Sequence, residues 1–232
     1  MMIEQRVMDA LAGVHDPELD EPITRLRFVS ACTVSPDGDA EVVLRLPTPQ
    51  CAPNFAFLMG ADARRAVAAV PGVRSVRVSL QDHYTGEEIN AALQRGEGFT
   101  GAFPGETDDD DLEALRELFS RKALIARQSA VCEAMLAEGA TPEQVLSRRV
   151  ADLPDTPEAR RSLQLRFELG LGAGPDAPAF VLPDGSVLEP GQLSRWLRVA
   201  RLVRTGLDAN GGICRDLLKV RYPDIDTEEV AR

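Results

Sequence analysis

The stretch VVLRLPTPQCAPNFAFLMGADARRAVAAVPGVRSVRVSL, residues 42–80, decides the fold of this chain. It opens with apolar side chains at a period of two, which predicts a strand that Pro47 ends. Polar and apolar side chains then mix at helical spacing, which predicts a helix from about 54 to 70, where Pro71-Gly72 stops it. Between 75 and 80 the apolar residues alternate again, which predicts a second strand with one buried face.

The residues before this stretch complete a small unit. Residues 3–14 carry apolar side chains at helical spacing, and residues 23–34 are rich in β-forming types. The turn Pro36-Asp37-Gly38 joins the latter to the strand above. The order helix, strand, strand, helix, strand predicts an α/β domain over residues 1–100 with a mixed three-stranded sheet.

A Gly-rich and then acidic segment, residues 96–111, indicates a domain boundary. We expect the aspartates at 108–111 to stabilise the first turn of the next helix rather than to bind a cation. Residues 108–232 are predicted to form a mainly α-helical domain with a short β-hairpin near 179–188. The predicted fold class is therefore α+β, with an α-β-β-α-β domain followed by a helical one.

Composition excludes several classes of function. The net charge of −11 repels nucleic acid and anionic bilayers, and one Trp with two Tyr offers little surface for stacking on bases. No apolar run approaches the roughly 20 residues that span a bilayer, and the opening residues lack the apolar core of a signal peptide. We expect a cytoplasmic protein with neither nucleic-acid nor membrane partners.

The four cysteines, at 32, 51, 132 and 214, are too far apart for a CxxC pair or a local zinc site. In a reducing compartment they are expected to be free thiols. Cys32 follows a strand alternation and Cys132 a helical stripe, so both are interpreted as small core residues.

Cys51 is the main candidate for chemistry, because it lies in a proline-punctuated loop between a strand and a helix. Pro53 suits the first helical position, which places Cys51 just before the helix N-terminus. There, backbone N–H groups and the helix dipole favour a thiolate that binds metal. From the residues alone, a buried inert thiol remains the equal alternative.

Three segments of the first 80 residues resemble the PaaD and SufT-like metal-sulfur cluster assembly family: HDPELDEPITRLRFV, VVLRLPTPQC and PGVRSVRVSL. The family motif has Asp-Pro-Glu after the first helix, then a Thr three residues before a Cys that a Pro follows. The matching residues are Asp16, Pro17, Glu18, Thr48 and Cys51. One departure is Ala52, which separates Cys51 from Pro53. The resemblance implies that Cys51 handles iron or iron-sulfur clusters, with Asp16 close to it as a further candidate metal ligand.

Three later segments resemble accessory proteins encoded beside bacterial soluble di-iron (propane-type) monooxygenases: DHYTGEEIN, RKALIARQSAVCEAML and LDANGGICRDLLKVRYP. This resemblance implies maturation of a di-iron hydroxylase, together with a chaperonin, and no catalysis by this chain. A homodimer is a further expectation, because two chains with one ligand Cys each can share a cluster.

Two further residues are candidate ligands. Asn210-Gly211-Gly212 is predicted to break the chain between two helices, so that Cys214 opens the second one at its N-terminus. We hypothesise that Cys214 approaches Cys51. His83 neighbours an Asp in a predicted loop and can be a metal ligand, although a hydrogen-bonded surface histidine is the common alternative.

The leading interpretation is a non-enzymatic maturation factor that binds iron or a cluster transiently through Cys51. Its main rival is a metal-free adaptor or chaperone-like module that recognises the same client. A thiol enzyme ranks third, because only His15 or His83 could act as its base.

Overall fold

The computed structural model describes residues 2–109 and 112–223. The chain folds into two compact units. The first comprises the described residues of 1–114 together with those from 209 onward, and the second comprises Leu115–Asp208. No helix in the described ranges combines the length and apolarity needed to cross a membrane.

The first unit is built on a mixed three-stranded sheet in the order β1-β2-β3, with bounds Val29–Val34, Asp39–Arg45 and Ser75–Gln81. β1 pairs antiparallel with β2, while β2 pairs parallel with β3. A parallel pair needs a crossover, which α2 (Pro53–Ala68) provides. The β2-loop-α2 junction therefore lies at the carboxyl end of the central strand.

Three further helices complete this part of the chain: α1 (Ile3–Leu11), α3 (Gly86–Arg95) and α4 (Phe99–Ala102). α1 packs against α2 and β1, and α3 packs against β3 and α2. The core is formed by fully buried aliphatic side chains from these elements, among them Val7, Leu11, Val42, Leu44, Leu58, Val67 and Ile89. β1 is shorter than predicted, because residues 23–27 form turns instead of extending the strand.

The second unit is mainly helical, and its elements are α5 (Glu113–Ala137), α6 (Pro142–Leu146), α7 (Pro157–Glu168) and the first part of α8 (Leu193–Arg221). Its core gathers buried residues that include Val131, Cys132, Val145, Phe180, Leu188 and Trp196. Cys132 is fully buried, as expected of a core residue, whereas Cys32 is half-buried.

Local details of the helical part refine the predictions. Asp109 accepts hydrogen bonds from the N–H groups of Glu113 and Ala114, which is the predicted role of an acid at the first turn of α5. Asp110 and Asp111 lie outside the described residues. The predicted hairpin near 179–188 is reduced to a single antiparallel bridge between Val181 and Val187.

The α+β fold class is confirmed, with a mixed three-stranded sheet followed by a mainly helical region. The two compact units are divided differently from the predicted domains, 1–100 and 108–232, because the first unit extends to Ala114. The last turns of α8 belong to the first unit. That arrangement brings the C-terminal segment of the chain to the loop that contains Cys51.

Candidate functional site

The loop between β2 and α2 holds Cys51 directly before a helix start. Pro53 is the first residue of α2, as predicted, and Ala52 occupies the N-cap position without a side-chain cap. The Thr48 hydroxyl lies 3.7 Å from the Cys51 sulfur, and the Cys51 N–H donates to the Thr48 carbonyl at 3.4 Å. The Thr-x-x-Cys spacing thus forms a turn that sets a hydroxyl against the thiol, which is half-buried.

The loop after β3 holds the Cys51 loop in place. The Tyr84 N–H donates to the Pro49 carbonyl at 3.0 Å, and His83 Nε2 lies 2.8 Å from the Cys51 carbonyl oxygen. Because the Thr85 N–H donates to His83 Nδ1 at 3.3 Å, the ring is assigned as the tautomer that carries its proton on Nε2. Both ring nitrogens of His83 are therefore engaged in joining the two loops.

The environment of His83 favours the neutral form of its ring. Burial lowers the pKa of His83, and the Arg221 cation lowers it further, although the hydrogen bond to the Cys51 carbonyl acts in the opposite direction. A neutral imidazole that already bridges two loops is suited to positioning Cys51. To bind a metal ion, the His83 ring would have to give up one of these hydrogen bonds.

Asp16 lies in the turn after α1 and is almost fully buried. Its Oδ1 accepts hydrogen bonds from the N–H groups of Glu18 and Leu19, at 2.9 and 2.8 Å. Burial raises the pKa of Asp16 to about 6, against the effect of these two hydrogen bonds, and the neighbouring carboxylates of Glu18 and Glu21 add to the rise. Asp-Pro-Glu therefore forms a tight turn with an unfavourably buried acid.

The final turns of α8 connect these loops from the other end of the chain. Arg215 pairs with Glu21 at 2.8 Å, next to the Asp16 turn. Arg221 donates to the carbonyl of Leu46 at 3.0 Å and also to that of Asp82. The Tyr222 hydroxyl lies 3.1 Å from the Asp82 carboxylate. This segment thereby contacts the residues that precede Cys51 and His83.

Cys214 lies on this segment, in the interior of α8. The expected break at Asn210-Gly211-Gly212 is wrong, because α8 is continuous from Leu193 to Arg221. Gly211 is buried, and a Cβ built on it would lie only 2.8 Å from Glu21 Oε1. The glycine therefore permits a close approach and does not end a helix. The argument that a helix N-terminus activates Cys214 is wrong as well.

The surroundings of Cys214 connect it with the other candidate residues. The pKa of its thiol is raised to about 11, mainly by burial and further by the neighbouring Asp16, Cys51 and Glu18. These groups act on Cys214 because the fold brings them within electrostatic reach of its sulfur. The approach of Cys214 to Cys51 itself stays a prediction.

Of the residues predicted for the site, Thr48 and His83 contact Cys51 directly and Pro53 starts its helix. Asp16 and Glu18 contribute to the raised pKa of Cys214. Across the described ranges, no three His, Cys, Asp or Glu side chains are arranged to hold one metal ion. Sequence reasoning missed Arg215, Arg221 and Tyr222. The signal for them was the helical spacing of Gly211, Cys214, Leu218 and Tyr222, which predicts one packed face.

Comparison with known proteins relates the first unit to cluster assembly. Residues 4–80, from α1 to the end of β3, match the family described as iron-sulfur cluster assembly protein. An iron-sulfur cluster carrier protein of Mycobacterium tuberculosis is 40% identical over 74 residues, which are 32% of this chain and 19% of that protein. The protein of the same name from Mycobacterium leprae is 36% identical over 78 residues, 34% and 20% of the two chains.

A third relative has the length of the matched region. An uncharacterised protein of Methanocaldococcus jannaschii is 28% identical over 97 residues, which are 42% of this chain and 100% of that protein. The chain spans about a fifth of the length of the mycobacterial carriers that it matches. The family match contains Asp16, Thr48 and Cys51 and ends with β3.

Proposed function

We propose that this protein is an accessory factor for the assembly of iron-sulfur clusters or iron centres, which holds its cargo briefly through Cys51. The observation that carries this proposal is the placement of Cys51. Its half-buried thiol precedes α2 in a loop held by hydrogen bonds from His83, Tyr84 and Arg221. The match of residues 4–80 to a family of cluster assembly proteins supports it.

The chemistry of the donors fits this cargo. Cysteine thiolate is a soft ligand suited to iron and to iron-sulfur clusters. A cluster commonly takes four protein ligands, whereas no set of three is gathered among the residues that the structure describes. Cargo bound at Cys51 would keep coordination positions for ligands of a client or a second subunit, as transfer requires.

A carrier fits the geometry better than a thiol enzyme. Nucleophilic catalysis by Cys51 would need a base directed at its sulfur. His83 instead directs Nε2 at the Cys51 carbonyl and accepts from Thr85 at Nδ1, while His15 Nδ1 lies 3.0 Å from the Gly13 carbonyl. His83 and Thr48 are assigned to positioning the loop, and Asp16 and Glu18 to its acidic surroundings.

The client that we propose is a metalloenzyme of the di-iron monooxygenase type, with a chaperonin and a homodimer as further proposed partners. Support for this client is the sequence resemblance of residues 82–90, 121–136 and 207–223 to accessory proteins of such enzymes. The proposed client is supported by sequence resemblance alone, whereas the proposed role of Cys51 is also supported by the geometry of its loop.

The test is reconstitution with iron and sulfide in the absence of oxygen, followed by iron and sulfide analysis and visible absorbance. We expect the unmutated protein and Cys32→Ser to retain iron, since Cys32 is a half-buried thiol on β1 and not in the site. Cys51→Ser is expected to lose it. The proposal would be overturned if Cys51→Ser retained iron, or if none of the forms retained it.

A second assay separates metal handling from the adaptor alternative. The loaded protein is incubated with an apo-hydroxylase, and recovery of the client's iron content and activity is measured. Cys51→Ser is expected to fail in this transfer. Full activation of the client by Cys51→Ser would instead identify a metal-free adaptor.

A further inference from the structure

We infer that the end of α8 supplies Cys214 as a second thiolate beside Cys51, so that the two cysteines form one site for a soft metal cation. The inference takes iron as its cargo from the proposed function, but its geometry depends only on residues of the first unit. It concerns a segment outside residues 4–80, where the family match ends.

The position of the segment is set by contacts at both of its ends. At one end, Arg215 pairs with Glu21, five residues after Asp16. At the other, Arg221 donates to Leu46, five residues before Cys51. The Tyr222 ring adds contacts, since the guanidinium of Arg45 lies 5.2 Å from its centre. Cys214 is thereby held between the Asp16 turn and the Cys51 loop.

The rotation of α8 directs Cys214 towards these loops. Gly211 and Leu218 are buried, whereas Ile213 and Leu217 are exposed. In a helix of 3.6 residues per turn, residue 214 lies on the side of 211 and 218. Gly211 is buried against the Glu21 carboxylate, since a Cβ at this position would lie 2.8 Å from Glu21 Oε1, and the half-buried Cys214 follows it one turn later.

The charges around the pair favour a cation. Asp16 and Glu18 both act on Cys214, and within the described ranges neither forms an ion pair with a basic side chain. A divalent cation would replace one proton on each thiol, releasing two protons as two metal–sulfur bonds form. Thiolates select soft or borderline cations over Mg²⁺ and Ca²⁺, so the class of ligand is Fe²⁺ and its thiophilic analogues.

The test uses Cd²⁺, which is thiophilic and gives a thiolate-to-metal charge-transfer absorbance that needs no client and no activity. The unmutated protein, Cys51→Ser, Cys214→Ser and the control Cys32→Ser are titrated without oxygen. We expect Cys51→Ser and Cys214→Ser each to bind at least about tenfold more weakly with a smaller absorbance per metal, and Cys32→Ser to match the unmutated protein. Equal binding by Cys214→Ser and the unmutated protein would overturn the inference.

A second measurement does not depend on a folded variant. The unmutated protein is treated with the thiol oxidant diamide, digested and analysed by mass spectrometry without reduction. A disulfide between the peptides of Cys51 and Cys214 is expected, and prior addition of Cd²⁺ should prevent it. Pairing of either cysteine with Cys32 or Cys132 at equal yield would contradict the shared site.

The two proposals fail in different ways. If Cd²⁺ needs both cysteines but reconstituted iron is not retained, the two-thiolate site stands and the assembly function falls. In the opposite case, iron is retained through Cys51 while Cys214→Ser binds Cd²⁺ normally and no disulfide with Cys51 forms. The assembly function then stands and the second thiolate falls.

Discussion

Buried charged side chains are used differently in the two units. In the second unit, the guanidinium of Arg166 donates to the carbonyls of Gly172, Pro178 and Ala179. In the first unit, Asp16 accepts two backbone hydrogen bonds, yet burial still raises its pKa to about 6. Burial opposes both charges, since it also lowers the pKa of Arg166. The guanidinium of Arg166 nevertheless donates to three backbone carbonyls, whereas the carboxyl of Asp16 keeps a raised pKa despite its two hydrogen bonds.

This difference separates a structural role from a functional one. A buried cation that binds several carbonyls stabilises the loop around it. An acid with a raised pKa costs stability whenever it is ionised, and groups of this kind concentrate at functional sites. Asp16 acts on the candidate thiol of Cys214, since its charge adds to the rise in the pKa of that thiol.

The largest expected effect is the loss of stability that follows from replacing Arg166 in the second unit. Arg166→Met keeps the volume of the side chain but leaves three carbonyls, of which that of Ala179 is buried, without this donor, so the second unit should lose about 3 kcal/mol of unfolding free energy. The single Trp, Trp196, lies in the core of that unit, and its fluorescence in a urea titration reports the loss. Iron retained per folded molecule should not change.

Arg160→Met is the matched control, because Arg160 lies on the same helix but is exposed and pairs with the exposed Asp155. It should change stability by less than about 0.5 kcal/mol. If both variants lost the same amount, Arg166 would have no special structural role and the contrast with Asp16 would disappear.

The next effect has the opposite sign and lies in the first unit. Asp16→Asn keeps an oxygen that can accept from Glu18 and Leu19 but removes the buried charge. A raised pKa means that the folded state holds its proton more tightly, so the stability contributed by Asp16 is present below about pH 4 and lost as pH rises through about 6. The variant should therefore gain about 2–3 kcal/mol at pH 7.5 and almost nothing at pH 4.

Hydrogen exchange of the β2 backbone, followed by mass spectrometry at both pH values, measures this gain within the first unit. Asp37→Asn, at an exposed turn position between β1 and β2, is the control and should show no such gain. A stability gain for Asp16→Asn that did not depend on pH would show that the buried charge is not its cause.

Much of the fold could be predicted because its signals are local. Alternation over β2 and β3, with prolines and glycines between them, placed these strands and α2 within about two residues of their bounds. Thr48, Cys51 and Pro53 form one turn and helix start, so their arrangement also follows from adjacent residues. Patterns of this kind need no knowledge of distant segments.

The parts that the sequence did not reveal depend on distant contacts. Glycines 211 and 212 read locally as a helix break, because glycine is a poor helix former. Glu21 and Arg215 are 194 residues apart, and only their contact explains why one of these glycines is buried inside a continuous helix. The packing of α8 outweighs the local preference, and the same packing decides where Cys214 lies.

The smallest effect tests that explanation on the two glycines. A Cβ on Gly212 would meet nothing within 4 Å, so Gly212→Ala should stabilise α8 by about 0.5–1 kcal/mol. A Cβ on Gly211 would lie 2.8 Å from Glu21 Oε1 and 3.4 Å from Arg215 Nη1, so Gly211→Ala should lose this gain by displacing the ion pair. Thermal unfolding measures the stability of both variants.

The rate at which Cys214 is alkylated tests whether these two glycine variants change the position of the thiol. Displacement of Glu21 and Arg215 should loosen the segment that holds Cys214, so Gly211→Ala is expected to speed its alkylation while Gly212→Ala leaves the rate unchanged. Fully buried Cys132 should remain slow in both variants and serves as the internal reference. If both substitutions stabilised the protein equally and neither changed Cys214, the close approach at Gly211 would not be what positions this thiol. The functional role of the first unit would then depend on the Cys51 loop alone.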